Sequence, residues 1–349
     1  MIRNRSCPGM GSHAPRDGRC LAYALAVIWL GAAVAWELAC PLAATEGVVP
    51  RIATCIGFLT GVVHLITGVR LGPVRDLRRV REVARATQQV LLRPLPARLD
   101  GLSVVAGQLS ANRAASVGGD LYEAVVTPHG VRIVMGDVRG HGLTALGAVA
   151  AVLGCFREAA HDEPELTGVL SRMDRTLQRY LLERSGGSSE TGEDAEEFVT
   201  VLLLEVRDDD EVWALNCGHP WPRLIDRGAE PLAAGDPLPP LGPFPLPAEL
   251  TARRCTRLLP GEALCLYTDG AEDNRDAAGL FFRLDEVLVE AACGRPVPPA
   301  EVIRRAHAAL LRHTGGRLTD DVALLVLRND RHRTPAARTG APTPARVHR

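Results

Sequence analysis

Residues 116–142, SVGGDLYEAVVTPHGVRIVMGDVRGHG, constrain the chain more than any other stretch. Two apolar runs, residues 121–126 and 131–135, flank Pro128-His129-Gly130 and predict a β-hairpin. Each strand carries an aspartate at one end. Asp120 follows Gly118-Gly119, and Asp137 precedes Val138-Arg139-Gly140-His141-Gly142. Antiparallel pairing lays the start of one strand beside the end of the next, which brings both carboxylates to one rim of the sheet. Adjacent carboxylates repel unless a proton or a cation lies between them. Glycines on both sides let carbonyls and water approach closely. Carboxylate, carbonyl and water are together the ligand set of Mg²⁺ or Mn²⁺. Gly-Gly-Asp alone is also a common turn entry, so the pairing carries the inference.

Composition removes several alternatives. The 349 residues hold enough material for a core in one large or two modest domains. Formal net charge is −1, which gives no reason to expect nucleic acid as a partner. Every one of the 40 strongly basic residues is arginine. Without lysine there is no phosphate-loop lysine, no kinase strand lysine and no Schiff base. The 9 cysteines are odd in number and show no Cys-x-x-Cys spacing, so they indicate neither a zinc site nor a disulfide framework.

In chain order, residues 1–19 are polar and arginine-bearing. Residues 21–36 and 52–69 are apolar, each near the roughly 20 residues that cross a bilayer. Arginines flank the pair on both outer sides. The positive-inside rule then predicts a transmembrane hairpin within residues 20–70 and a multi-pass cell-membrane location with the catalytic part cytoplasmic. Residues 71–94 form an arginine-rich helical linker, with Leu77, Val80, Ala84, Thr87 and Leu91 in a short seam that suits either a homodimer or an amphipathic linker packed on the next domain. Pro94 and Pro96 end it, and a compact domain is expected over residues 95–329. Within that domain residues 143–161 and 165–183 predict helices, and residues 185–197 a Gly/Ser/acidic mobile loop. Strands follow at 198–206, 212–216, 223–226 and 263–268, helices at 284–292 and 299–313, and a last strand at 322–327. The tail, residues 330–349, has a disordered composition. Grouped strands and helices predict an α+β fold, an antiparallel β-sandwich flanked by α-helices.

Aspartates stand at four strand ends: Asp120, Asp137, Asp269 and Asp320. No single motif is specific, but their order is. Val117-Gly118-Gly119-Asp120-Leu121-Tyr122-Glu123 is followed by Gly136-Asp137-Val138-Arg139-Gly140-His141-Gly142 and Phe198-Val199-Thr200. Asn216-Cys217-Gly218-His219-Pro220, Leu266-Tyr267-Thr268-Asp269-Gly270 and Asp320-Asp321 complete the series. Over residues 94–328 the sequence resembles the metal-dependent Ser/Thr protein phosphatases of the protein phosphatase 2C type, in their bacterial sporulation and stress-response branch. The resemblance implies a four-layer fold with two Mn²⁺ or Mg²⁺ ions at one edge of the sandwich. It further implies Asp137 as bridging ligand, with Asp120, the Val138 carbonyl, Asp269 and Asp320 as the other ligands and Asp321 beside them. By the same analogy the partner is a phosphorylated regulatory protein, an anti-sigma-factor antagonist. The sequence departs from the family pattern after Asp269, with Asp273 where glutamate is usual and Phe281-Phe282 lacking a glycine.

The chemistry agrees with that assignment. Phosphomonoester hydrolysis is among the slowest uncatalysed reactions, and a two-metal clamp activates water and stabilises the transferring group. Asp120 and Asp137 are then catalytic through the metals, and His141 or His219 protonates the leaving oxygen. Cys217 to Arg223 has the Cys-x₅-Arg spacing of cysteine phosphatases, but Pro220 and Pro222 remove backbone donors from any phosphate cradle. Asp208-Asp209-Asp210-Glu211 reads as a solvated hairpin turn rather than an aspartyl-phosphate motif. The alternative from another class is a membrane-anchored binding module that keeps the fold without catalysis.

Overall fold

The structure, a computed structural model, describes residues 90–111, 118–140, 143–185, 197–232, 235–292 and 297–331, with a few helical residues between 28 and 88. The chain divides into two units, Met1–Glu82 and Val83–Arg349. In the first, the described residues are scattered helical positions, such as Ile28 and Ile52, and runs of at most three, such as residues 59–61. Among the described residues no helix is long and apolar enough to cross a membrane. A span needs roughly 20 consecutive apolar residues in one helix. The expected membrane hairpin and multi-pass location are therefore corrected. Most of residues 21–36 and 52–69, the greater part of the 77–91 seam, and residues 186–196 and 332–349 lie outside the described residues.

The second unit contains the sandwich. Its first strands are β1 (Arg98–Leu99), β2 (Leu102–Leu109), β3 (Leu121–Thr127) and β4 (Gly130–Val138). Helices α1 (Leu143–Asp162) and α2 (Leu166–Ser185) follow, then β5 (Val199–Val206), β6 (Glu211–Cys217), β7 (Arg223–Ile225), β8 (Ala229–Pro231), β9 (Arg253–Arg257) and β10 (Ala263–Tyr267). The order closes with α3 (Gly270–Asp273), α4 (Leu284–Ala291), α5 (Pro299–His313) and β11 (Val322–Asn329). One sheet has the order β1-β2-β11-β10-β7-β8 and the other β3-β4-β5-β6-β9. All neighbouring strands in both sheets are antiparallel.

Alternation along the strands explains the layers, because successive side chains point to opposite faces. On β5, Leu202, Leu204 and Val206 enter the core between the sheets, while Val199, Val201 and Leu203 face α1 and α2. On β11, Ala323, Leu325 and Leu327 face the same central core, and Val322, Leu324 and Val326 pack under α4 and α5. Strands covered on both faces read as continuous apolar runs, as 201–204 and 322–327 do. The result is helix, sheet, sheet, helix. Arg132, fully buried on β4, locks one outer layer to its sheet. Its guanidinium meets Glu205 on β5 and donates to the carbonyls of Ala160, Glu163 and Pro164 at the end of α1.

Candidate metal centre

The register of the hairpin places the first two aspartates side by side. Leu121 pairs with Gly136, so Asp120, just before β3, flanks Asp137 on β4. Asp120 is buried and Asp137 half-buried. The two glycines before Asp120 allow this closeness. A β-carbon on Gly119 would lie 2.3 Å from the Val138 carbonyl oxygen and 2.8 Å from Asp137 Oδ1. One on Gly118 would lie 2.1 Å from Asp321 Oδ2. At Gly119 the obstacle is fixed backbone, and at Gly118 the Asp321 carboxylate would have to move aside.

The other sheet brings the remaining acids. Strand β10 ends at Tyr267, and Asp269 caps α3 by accepting from the Gly270 amide at 2.9 Å. Asp320 and Asp321 precede β11, the neighbour of β10. Asp320 Oδ1 accepts from the Asp321 amide at 2.8 Å, and Asp321 Oδ1 from the Ala111 amide at 2.6 Å. Asp269 and Asp320 stand exposed, while Asp120 is sealed beneath them.

Electrostatics tie the group together. Burial holds the Asp120 carboxyl well above the usual range, and the charges of Asp137, Asp321 and Asp320 raise it further. Burial also pushes Asp137 up to about 7, with Asp269, Asp320 and Asp321 adding to the effect. Although Asp269 and Asp320 are exposed at the surface, the protein around them displaces part of their solvent, which is the first cause raising each, and Asp320 raises Asp269 further. Among the described residues, no arginine or histidine forms an ion pair with any of the five. Also among the described residues, no three acidic, imidazole or thiol groups already stand close enough together to hold a metal ion by themselves. The rim gathers hard oxygen donors whose repulsion no basic group among the described residues neutralises. That chemistry fits a divalent cation with water completing its shell.

Two histidines fare differently from the expectation. His141 lies outside the described residues. His219 is buried, and burial pushes its imidazole down to about 3. A neutral, enclosed ring is no acid for a leaving group, so that role of His219 is corrected. Instead Asn216 holds the His219 backbone through two 2.8 Å hydrogen bonds, with Gly218 at a φ of 71° in the turn. His219 Nδ1 lies 3.0 Å from Thr200 Oγ1, which accepts from the Asp137 amide at 3.2 Å. The Asn-x-Gly-His motif thus supports the strand that carries Asp137.

The cysteine-phosphatase alternative fails on the same terms. Cys217 is buried and its thiol pushed up to about 12 by burial, while Arg223 pairs with Glu272 at 2.7 Å. Asp208 to Asp210 form the turn between β5 and β6, as expected. One residue escaped sequence reasoning altogether: Asn274, fully buried between the Asp269 and Asp320 loops. Its only sequence signal was its place in the segment where the family pattern breaks.

Comparison with known proteins adds a family and a fold. Residues 127–330 match the family described as Stage II sporulation protein E (SpoIIE). The structure resembles the RsbU and RsbW domains of Rv1364c from Mycobacterium tuberculosis at 23% identity and a TM-score of 0.50, over 65% of this chain and 60% of that one. This chain thus spans little more than half of that mycobacterial chain. It also resembles the PP2C domain of SiaA from Pseudomonas aeruginosa at 18% identity and a TM-score of 0.55, over 75% of this chain and 98% of that one. At these identities the two likenesses establish the fold. The catalytic domain of PstP, a Mycobacterium tuberculosis Ser/Thr phosphatase, was solved in complex with 2 manganese ions. It matches at 15% identity and a TM-score of 0.45, over 65% of this chain and 97% of that one.

Proposed function

This chain belongs to the SpoIIE family, with a domain of the PP2C Ser/Thr phosphatase type, and from that premise we propose that it hydrolyses phosphoserine or phosphothreonine on a regulatory protein. One observation carries the reading: five carboxylates from two sheets converge on one rim without a basic partner among the described residues, and burial, with the charges of neighbouring aspartates, raises the pKa of Asp120, Asp137, Asp269 and Asp320. Asp120, Asp137, the Val138 carbonyl, Asp269 and Asp320 would hold two Mn²⁺ or Mg²⁺ ions, with Asp321 beside them. Such ions supply Lewis acidity, lowering the pKa of water and offsetting charge on the phosphoryl oxygens.

The chain's own residues do the rest. Thr200 orients Asp137 through its backbone amide. Gly118 and Gly119 leave the space in which the Val138 carbonyl and Asp137 can face a ligand. The exposed Asp269 and Asp320 keep the rim open to a protein-bound phosphate. His141, four residues beyond Asp137, is the imidazole we assign to protonating the leaving oxygen. A phosphorylated anti-sigma-factor antagonist is the substrate we favour, since the mycobacterial relative joins RsbU and RsbW domains in one chain. Dimerisation through residues 77–91 belongs to the same proposal, and cross-linking that yields only monomers would remove it.

The test is phosphate release by the full chain from phosphoserine, phosphothreonine and phosphotyrosine peptides in Mn²⁺, beside Asp137→Asn and Asp269→Asn. Turnover of the first two peptides, lost by at least about 100-fold in both variants, is expected. Wild-type protein that binds a phosphopeptide without turning it over would instead establish a binding module.

A further inference from the structure

Asn274 is the C-cap of α3, the single turn that begins at Asp269, and its side chain is wholly buried. Both of its donors and its acceptor are used. Nδ2 donates to the Gly270 carbonyl at 2.5 Å and to the Asp320 carbonyl at 3.4 Å. Oδ1 accepts from the Thr319 amide at 2.7 Å and the Thr319 hydroxyl at 3.1 Å. Gly270 adjoins Asp269, and Thr319 adjoins Asp320. One amide therefore clamps two loops about 45 residues apart in sequence, each presenting one of the exposed carboxylates. The loops are also packed backbone to backbone, since a β-carbon on Gly270 would lie 2.0 Å from the Asp321 carbonyl oxygen.

The shape of the contact selects asparagine. Aspartate has no N–H for the two carbonyls, serine has a single hydroxyl, and glutamine adds a methylene to a fully buried site. The Asn274 backbone carbonyl accepts from the Phe282 amide at 3.0 Å, which anchors the far end of the same loop. All four polar contacts of the side chain go to the Gly270 and Asp320 carbonyls and to Thr319, none to a carboxylate of the rim.

We infer that Asn274 is a positioning residue: it sets the spacing of Asp269 and Asp320, and with it the divalent-metal affinity of the rim. The inference rests on the reading of that rim as a metal site. Groups that orient metal ligands from behind typically change metal affinity or activity about 10–100-fold when removed.

The experiment is titration calorimetry of Mn²⁺ into the full chain, wild type, Asn274→Ala and Asn274→Asp, with thermal melts of each and kcat and KM for p-nitrophenyl phosphate. Asn274→Asp keeps an acceptor for both Thr319 donors and loses only the donors to Gly270 and Asp320, so it decides the matter if the alanine variant does not fold. Its added charge alone would tighten Mn²⁺ binding. A rise of about tenfold or more in the Mn²⁺ Kd of the folded aspartate variant, with kcat lowered and KM little changed at saturating Mn²⁺, is the expected result. Variants that melt earlier yet bind Mn²⁺ like the wild type would overturn the inference and leave the metal site standing. A wild-type chain that binds no Mn²⁺ would overturn both.

Discussion

The imidazole of His219 faces Thr200 on β5 and the backbone of Tyr267 on β10, and burial keeps it neutral down to about pH 3. The unfolded chain would protonate the same ring near its ordinary value of 6.5. Between those values the unfolded state binds the extra proton, so stability contributed by His219 is complete above 6.5 and is lost as pH falls. Urea unfolding of wild type and His219→Gln between pH 7 and 4 should show the wild type weakening more steeply on acidification. The carboxylates contribute to both proteins alike, so their effect cancels in the difference. Parallel curves would contradict this account of His219. The same burial explains why the Asn-x-Gly-His motif suggested an acid: the residue types announce chemistry, and only the packing reveals that the ring points inward.

At the scale of elements, Arg132 makes the sharpest demand. It is fully buried, reaches Glu205 across the β4–β5 pair, and satisfies three carbonyls at the end of α1. Glu205 keeps Arg207 as a second partner at 2.7 Å, whereas substituting Arg132 takes a charged donor away from all three carbonyls. Arg132→Met should cost about 3–5 kcal/mol in chemical denaturation, with α1 the first helix to lose amide protection. A loss under about 1 kcal/mol would mean that water replaces the guanidinium. Elements differed in how legible they were. The hairpin β3–β4 and helices α1, α2, α4 and α5 carry strong periodicity and were readable from the chain. Strand β9, Arg-Arg-Cys-Thr-Arg, is an exposed edge with no apolar face to announce it. The α3 turn is four residues long, below what a 3.6-residue period can signal. Its defining residue, Asn274, works through loop contacts 45 and 46 residues away.

For the molecule as a whole, topology explains why four aspartates scattered over some 200 residues meet. Strand β4 sits near one edge of its sheet and β10 and β11 in the middle of the other, and the sandwich brings their ends to a common rim. The aspartates themselves were visible in the sequence because each stands at one end of an apolar run, beside glycine or a second acid. Their proximity followed for Asp120 and Asp137 from local pairing, whereas Asp269 and Asp320 required the family resemblance or the fold. The N-terminal apolar stretches show the reverse case, where composition suggested a membrane hairpin and no described helix bears it out. The central claim, that this rim works by divalent metal, is tested most directly by metal removal. Phosphate release from a phosphoserine peptide is measured on the full chain after exhaustive chelation, and again after Mn²⁺ is restored. The account predicts a fall of at least about 1,000-fold on chelation, recovery with Mn²⁺, and no recovery in Asp137→Asn. Undiminished turnover in the chelated protein would contradict it.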